Sequence, residues 1–237
     1  MIPFNLSYWI CLFFGAVCLI LNRPFLEKSE KNKPLGALLY KTLASLCFMI
    51  IAALCLLSEG VTLSKFHIVA IIGLLAGFLG DILLALRHVY PQKYTLFFVV
   101  GAVVFFLEHG LFSAYFMFSG TINAPLTALI FVLGFSVVTY IFAHMNVDGG
   151  KLKFGIYAYI GAVILTCANF ITAFVVTKTW ATAMLAVASI LFAASDVILC
   201  AYNFGRAKSF KNMYFIHYLY YPAQVLIACS LLFFGQG

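Results

Sequence analysis

Charge is what this chain has least of. Only 9% of its 237 residues are Asp, Glu, Lys or Arg, where a soluble domain carries about 25%. Apolar residues make up 65%, more than one globular core of this size can hide, so lipid must be the solvent for most of the surface. Long polar linkers are missing too, and residues 1–237 read as a single transmembrane domain. The apolar runs lack the dyad alternation of an outer-membrane barrel. No basic segment precedes the first apolar stretch, which reads as a retained span and not as a cleaved leader. There is no C-x-x-C, and nearly all of Cys11, Cys18, Cys47, Cys55, Cys167, Cys200 and Cys229 fall inside apolar runs. They read as small core residues, neither disulfides nor a zinc site. Phosphate loops, H-E-x-x-H, G-x-S-x-G and dinucleotide fingerprints are all absent. The net charge is +7. It sits mostly in short loops between apolar runs, which points to topology and anionic headgroups and not to nucleic acid.

What is present is a series of apolar runs, each near the ~20 residues that span hydrocarbon. They predict an all-α, polytopic bundle of eight transmembrane helices over about 6–21, 36–57, 66–86, 95–118, 125–144, 155–176, 180–201 and 214–235. The odd loops hold Arg23, Lys28, Lys31, Lys33, Arg87, Lys93, Lys151, Lys153, Arg206, Lys208 and Lys211. The even loops hold only Lys65 and Lys178. The positive-inside rule therefore puts the odd loops in the cytoplasm and both termini opposite. The membrane would be the plasma membrane in a prokaryote and an endomembrane in a eukaryote. Gly80-Asp81-Ile82-Leu83-Leu84 near the end of the third run resembles Ser195-Asp196-Val197-Ile198-Leu199 near the end of the seventh. That likeness hints at a four-plus-four internal repeat with parallel halves.

Acids in hydrocarbon cost several kcal/mol and face a bundle interior or a watery cavity. Asp81, Glu108 and Asp196 are the acids well inside spans. Asp81 and Asp196 each precede a basic loop, so the two carboxylates lie at similar depth in one leaflet; paired structural roles are the alternative. His217, Tyr220, Tyr221 and Gln224 follow i, i+3, i+4, i+7 and share a helix face. An interfacial aromatic belt explains the tyrosines but not the deeper Gln224. Lys41, just inside the second span, would snorkel to headgroups, bind a lipid phosphate or pair with an Asp. Glu108 and His109 sit near mid-bilayer on faces about 100° apart. His67, His88 and His144 lie near span ends and look interfacial. Gly73, Gly77 and Gly80 form a small-residue stripe for close helix packing. The sum is a polar pocket open toward the cytoplasmic leaflet.

At these residues the chain resembles the lysoplasmalogenase family, the YhhN-type membrane proteins. The matching stretches are Gly73-Leu74-Leu75 with Leu79-Gly80-Asp81-Ile82-Leu83-Leu84, then Gly101, Phe105 and His109, then Phe192 and Ser195-Asp196-Val197-Ile198-Leu199, then Tyr220-Tyr221-Pro222-Ala223-Gln224-Val225-Leu226-Ile227. Lys41 also falls where that family places a lysine. Two departures are Phe112, where the family often has Tyr, and Glu108 beside the histidine. The resemblance implies an eight-helix enzyme that hydrolyses the vinyl ether of a lysophospholipid, the lysoplasmalogen. Products would be a fatty aldehyde and a glycerophospho-alcohol, with Asp81 and Asp196 as the catalytic pair.

Vinyl ether hydrolysis begins with protonation of the β-carbon. It needs one carboxyl that donates and one carboxylate that stabilises the oxocarbenium ion or activates water, as in glycosidases. In this reading His217 or His109 orients water, Tyr221 and Gln224 hold glycerol or ether oxygens, Tyr220 shares their face, and Lys41 takes the phosphate. No cofactor or metal is needed. Two rival readings are a transporter or receptor for a small amphiphile, and a metal-dependent lipid hydrolase with His109, His217 and the two Asp residues as ligands.

Overall fold

The computed structural model describes all residues except 207–208 and 235–237, so Lys208 of the seventh loop lies outside the described residues. Eight helices follow in order: α1 (Phe4–Glu30), α2 (Pro34–Leu56), α3 (Lys65–Val89), α4 (Tyr94–Ser119), α5 (Ala124–His144), α6 (Lys153–Thr177), α7 (Trp180–Phe204) and α8 (Phe210–Ser230). Among the described residues there is no strand, only an isolated bridge between Ile2 and Ser58. The protein is the all-helical, polytopic membrane bundle that the apolar runs predict.

Seven helices, α1 to α7, are long and apolar enough to cross a bilayer. α8 falls short on hydropathy, although its 21 residues extend about 31 Å. Its deficit is the polar stripe from His217 to Gln224, and all four of those side chains are buried. Neighbours α1, α2, α3 and α7 surround it, so it need not be lipophilic on every face.

Several boundaries differ from expectation; α8, expected to reach 235, ends at Ser230, and residue 235 lies outside the described residues. α1 runs well past residue 21, through Pro24, to Glu30. Apolar runs measure hydrocarbon thickness, whereas a helix can continue into the headgroup layer. There Arg23 Nε donates to Glu27 Oε1 at 3.1 Å with i, i+4 spacing. α8 begins at Phe210 instead of 214, because Met213 and Ile216 already pack inward against Phe25 and Leu26 of α1. It continues unbroken past Pro222.

Helix α4 joins α3 to α6, while α5 packs chiefly on α6 and buries only Thr127, Val138 and Phe142. Large apolar side chains such as Trp9, Phe118, Leu133 and Phe154 point outward, as a lipid-facing surface requires. The pairings α2–α3, α3–α4 and α2–α8 recur as α6–α7, α7–α8 and α6–α4. One sequence interval separates Asp81 from Asp196, Phe105 from Tyr220 and His109 from Gln224. The correspondence is partial: α1 and α3 also pack on α8, whereas their counterparts α5 and α7 make no comparable contact with α4. The α3 glycines allow its closest approaches. An added Cβ would lie 2.7 Å from Phe112 Cζ at Gly73, 2.7 Å from Gln224 Nε2 at Gly77 and 2.6 Å from Phe105 Cε2 at Gly80.

Candidate active site

Asp81 is 1% exposed on α3 and collects donors from two other helices. Lys41 Nζ of α2 lies 3.0 Å from Oδ1. Ser45 Oγ, one turn further along α2, donates to Oδ2 at 2.6 Å. Tyr220 of α8 donates its phenol to the same oxygen at 2.9 Å. Lys41 therefore turns inward; it neither snorkels nor stands free for a phosphate, because the buried carboxylate attracts it more strongly than screened headgroups can.

Asp196 is 3% exposed on α7. Tyr159 of α6 donates to its Oδ2 at 2.7 Å, and His109 Nε2 of α4 stands 3.8 Å from the same oxygen. No other hydrogen bond reaches Asp196 among the described residues. The repeat reappears here. Asp81 is held from α2 and α8, Asp196 from the equivalent α6 and α4. The two halves differ in charge: Lys41 balances Asp81, and Asp196 has no lysine.

Both aspartates line one cavity of about 320 Å³. Its walls also include Lys41, Arg87, Tyr159, Ser195, His217 and Tyr220. Its mouth is framed by the α1–α2 turn, with Glu30 and Lys33, and by the start of α8 at Phe210. Beside it lies an apolar pocket of about 260 Å³ between α3, α4, α6 and α7. Leu84, Phe105, Tyr159 and Leu199 belong to both walls. A polar chamber containing the carboxylates therefore abuts a hydrocarbon-like one.

Other expected residues are placed differently. Tyr221 is fully buried against α2, its phenol 3.4 Å from both Ser45 Oγ and the Lys41 carbonyl. Gln224 donates Nε2 to Glu108 Oε1 at 3.0 Å and to the Tyr220 phenol oxygen at 3.2 Å. Neither lines the cavity, so both stand behind the site instead of contacting glycerol or ether oxygens. His109 also lies behind Asp196, its ring edge-on to Phe192 with centroids 4.6 Å apart. His217 does reach the cavity. Its Nδ1 donates to the Met213 carbonyl at 2.8 Å, which leaves Nε2 as the free ring nitrogen. Glu108 and His109 diverge as their 100° offset requires, Glu108 toward α8 and His109 toward α7. His67 lies in the first turn of α3, at the span end as expected, but is fully buried within the bundle, accepting at Nδ1 from Ser64 N and donating from Nε2 to the Leu231 carbonyl. His88 and His144 are exposed, at span ends.

Sequence reasoning missed Ser45, Tyr159, Arg87 and Ser195. Ser45 could have been found one turn beyond Lys41 on the same face. Tyr159 carries no such signal among 13 tyrosines. Phe112, the departure from the family's Tyr, packs on Phe170 and closes over Gly73. Among the described residues no group of three or more His, Cys, Asp or Glu is placed to hold a metal.

The fold and this chamber define a class: polytopic helical membrane proteins with two buried aspartates on the wall of one chamber. More narrowly, the YhhN family model matches residues 36–231. The chain belongs to that family, which includes lysoplasmalogenases. Searches of curated proteins and of solved structures found no match.

Proposed function

We propose that the protein hydrolyses the vinyl ether bond of lysoplasmalogens, releasing a fatty aldehyde and a glycerophospho-alcohol. The observation that carries this reading is the adjacency of the two chambers, which meet across Leu84, Phe105, Tyr159 and Leu199. A single-chain lipid has a polar head and one hydrocarbon tail, and the polar and apolar chambers match those halves. The vinyl ether, at their junction, would lie beside the carboxylates. Family membership supports the same substrate class.

The two carboxylates differ in a way that suits the chemistry. Asp81 already accepts from Lys41, Ser45 and Tyr220 and is arranged to act as an anion facing a developing oxocarbenium ion. Asp196, held by Tyr159 alone, is the proton donor to the β-carbon. Protonation breaks the C=C π bond and leaves positive charge shared between the α-carbon and the ether oxygen. Water adds to the α-carbon and loses its proton to the Asp196 carboxylate, which restores the acid and gives a hemiacetal. The hemiacetal then expels the glycerol oxygen, its hydroxyl proton passing to that oxygen as the aldehyde C=O forms. His217 Nε2, on the cavity wall, can accept from the attacking water. With the basic loops cytoplasmic, lipid would enter from the inner leaflet.

The test is mass spectrometry of products from purified protein given a lysoplasmalogen or its saturated alkyl ether analogue. Aldehyde from the first alone is expected. Cleavage of both, or of neither, would overturn the reading.

A further inference from the structure

Among the described residues, Arg87 is the one buried cation on the cavity wall that has no anion. It sits in the last turn of α3, 5% exposed. Its guanidinium carbon lies 5.2 Å from the ring centroids of both Tyr94 and Phe98 on α4. Nε donates to His88 Nε2 at 3.2 Å, and Nη1 has no partner. Among the described residues no carboxylate lies within ion-pair distance of it. The cavity's other cations are accounted for: Lys41 is bound to Asp81, and Lys33 is exposed at the mouth. Its acids are Glu30 at the exposed rim and the two aspartates deeper in.

A guanidinium carries five N–H donors in a planar fork. Left unpaired out of water it is expensive, and phosphate oxygens are its best-matched ligand. Its role as a helix C-terminal cation stacked on two rings explains where it sits. It does not explain a buried Nη1 left without any partner on a residue that lines the cavity.

We infer that Arg87 binds the phosphate of the lipid headgroup and so sets how deep the substrate sits. This inference rests on the lysoplasmalogen reading and identifies the part of the substrate that the polar chamber recognises. Spacing supports it. Arg87 and Asp81 are six residues apart on one helix, about 9 Å along its axis. In a lysoplasmalogen about seven bonds, each advancing roughly 1.2–1.3 Å, join phosphorus to the β-carbon, also ~9 Å. A phosphate on Arg87 therefore brings the vinyl ether to the depth of the carboxylates. Lys41 keeps its place beside Asp81.

The test is equilibrium binding to protein in nanodiscs, with probes that cannot be hydrolysed. One is 1-O-hexadecyl-glycerophosphoethanolamine, the second is 1-O-hexadecylglycerol, which lacks phosphate, and the third is inorganic phosphate. Wild type is expected to bind the phospholipid at least about tenfold more tightly than the neutral ether, the range of one charge-assisted contact. Arg87→Gln should erase that preference while leaving affinity for the neutral ether unchanged, which also reports that the chamber is folded. Arg87→Lys, keeping charge but losing the fork, should retain part of it. A preference that survives Arg87→Gln, an equal loss for both lipids, or no preference in wild type would overturn the assignment. So would inorganic phosphate binding as tightly as the phospholipid, which would make free phosphate the ligand. Because no probe is cleaved, failed aldehyde release would refute the hydrolase reading without touching this result.

Discussion

Replacing Asp81 or Asp196 by Asn should silence aldehyde release in both cases but weaken the fold unequally. Lys41 Nζ and Asp81 Oδ1 are 3.0 Å apart, with Lys41 only 7% exposed. At that separation the Coulomb attraction is about 5–6 kcal/mol for an effective dielectric near 20. Removing one partner of such a pair strands the other and costs about 3–5 kcal/mol. Asn at 196 keeps an oxygen for the Tyr159 phenol, so that change costs about 1 kcal/mol. Asp81→Asn should therefore be about 2–4 kcal/mol less stable than Asp196→Asn. Adding Lys41→Met to Asp81→Asn removes the stranded ammonium and should restore most of the difference, still without activity. Denaturant unfolding in detergent followed by intrinsic fluorescence reads stability, and aldehyde trapping reads chemistry. Equal stability of the two single variants, or a double variant no more stable than Asp81→Asn, would refute the ion-pair argument. Aldehyde release by either single variant would refute the chemical one.

Tyr159→Phe removes the only hydrogen bond that the described residues donate to Asp196 while keeping the ring, and kcat should fall about 10- to 100-fold with little change in unfolding midpoint. Gly77→Ala places a methyl 2.7 Å from Gln224 Nε2 and 2.9 Å from Glu108 Oε2; a loss of about 1–3 kcal/mol is expected in unfolding measurements, and none would mean that α3, α4 and α8 are not so tightly apposed. Glu108→Gln still offers Gln224 an oxygen and should remain folded and active, whereas Glu108→Leu strands the Gln224 amide and should lower the unfolding midpoint. Ala102→Trp fills the apolar pocket, so KM should rise for long-chain substrates more than for short ones; an equal rise for both would place the tail elsewhere.

Rarity decided what could be read from sequence. Intramembrane charges are so few that Asp81, Asp196 and Lys41 announce themselves, and the glycines before Asp81 mark close packing. The helices were equally legible, because a twenty-residue apolar run leaves little else for a chain to do. The failures share one cause: a stripe fixes a face but not the neighbour that it meets. One turn of α8 turns Tyr220 to the cavity, Tyr221 to α2 and Gln224 to Glu108, three destinations within a single apparent face. Arg87 read as a loop residue because polarity was taken as the end of the span, yet α3 continues to Val89 and carries it into the wall. Tyr159 offered no contrast in a chain where aromatics are 17% of residues.

The polar character of α8 also bears on how the protein is made. A segment with His, Lys, Gln and several tyrosines gains little by partitioning into lipid alone. Its favourable contacts are with α1, α2, α3 and α7, all earlier in the chain. Insertion of α8 must therefore be escorted by helices that are already in the bilayer, and Tyr220 reaches Asp81 only when that step is complete. Biogenesis and the arming of the chamber are then one event, and an intermediate stalled before it would hold its acids without the phenol that steadies them.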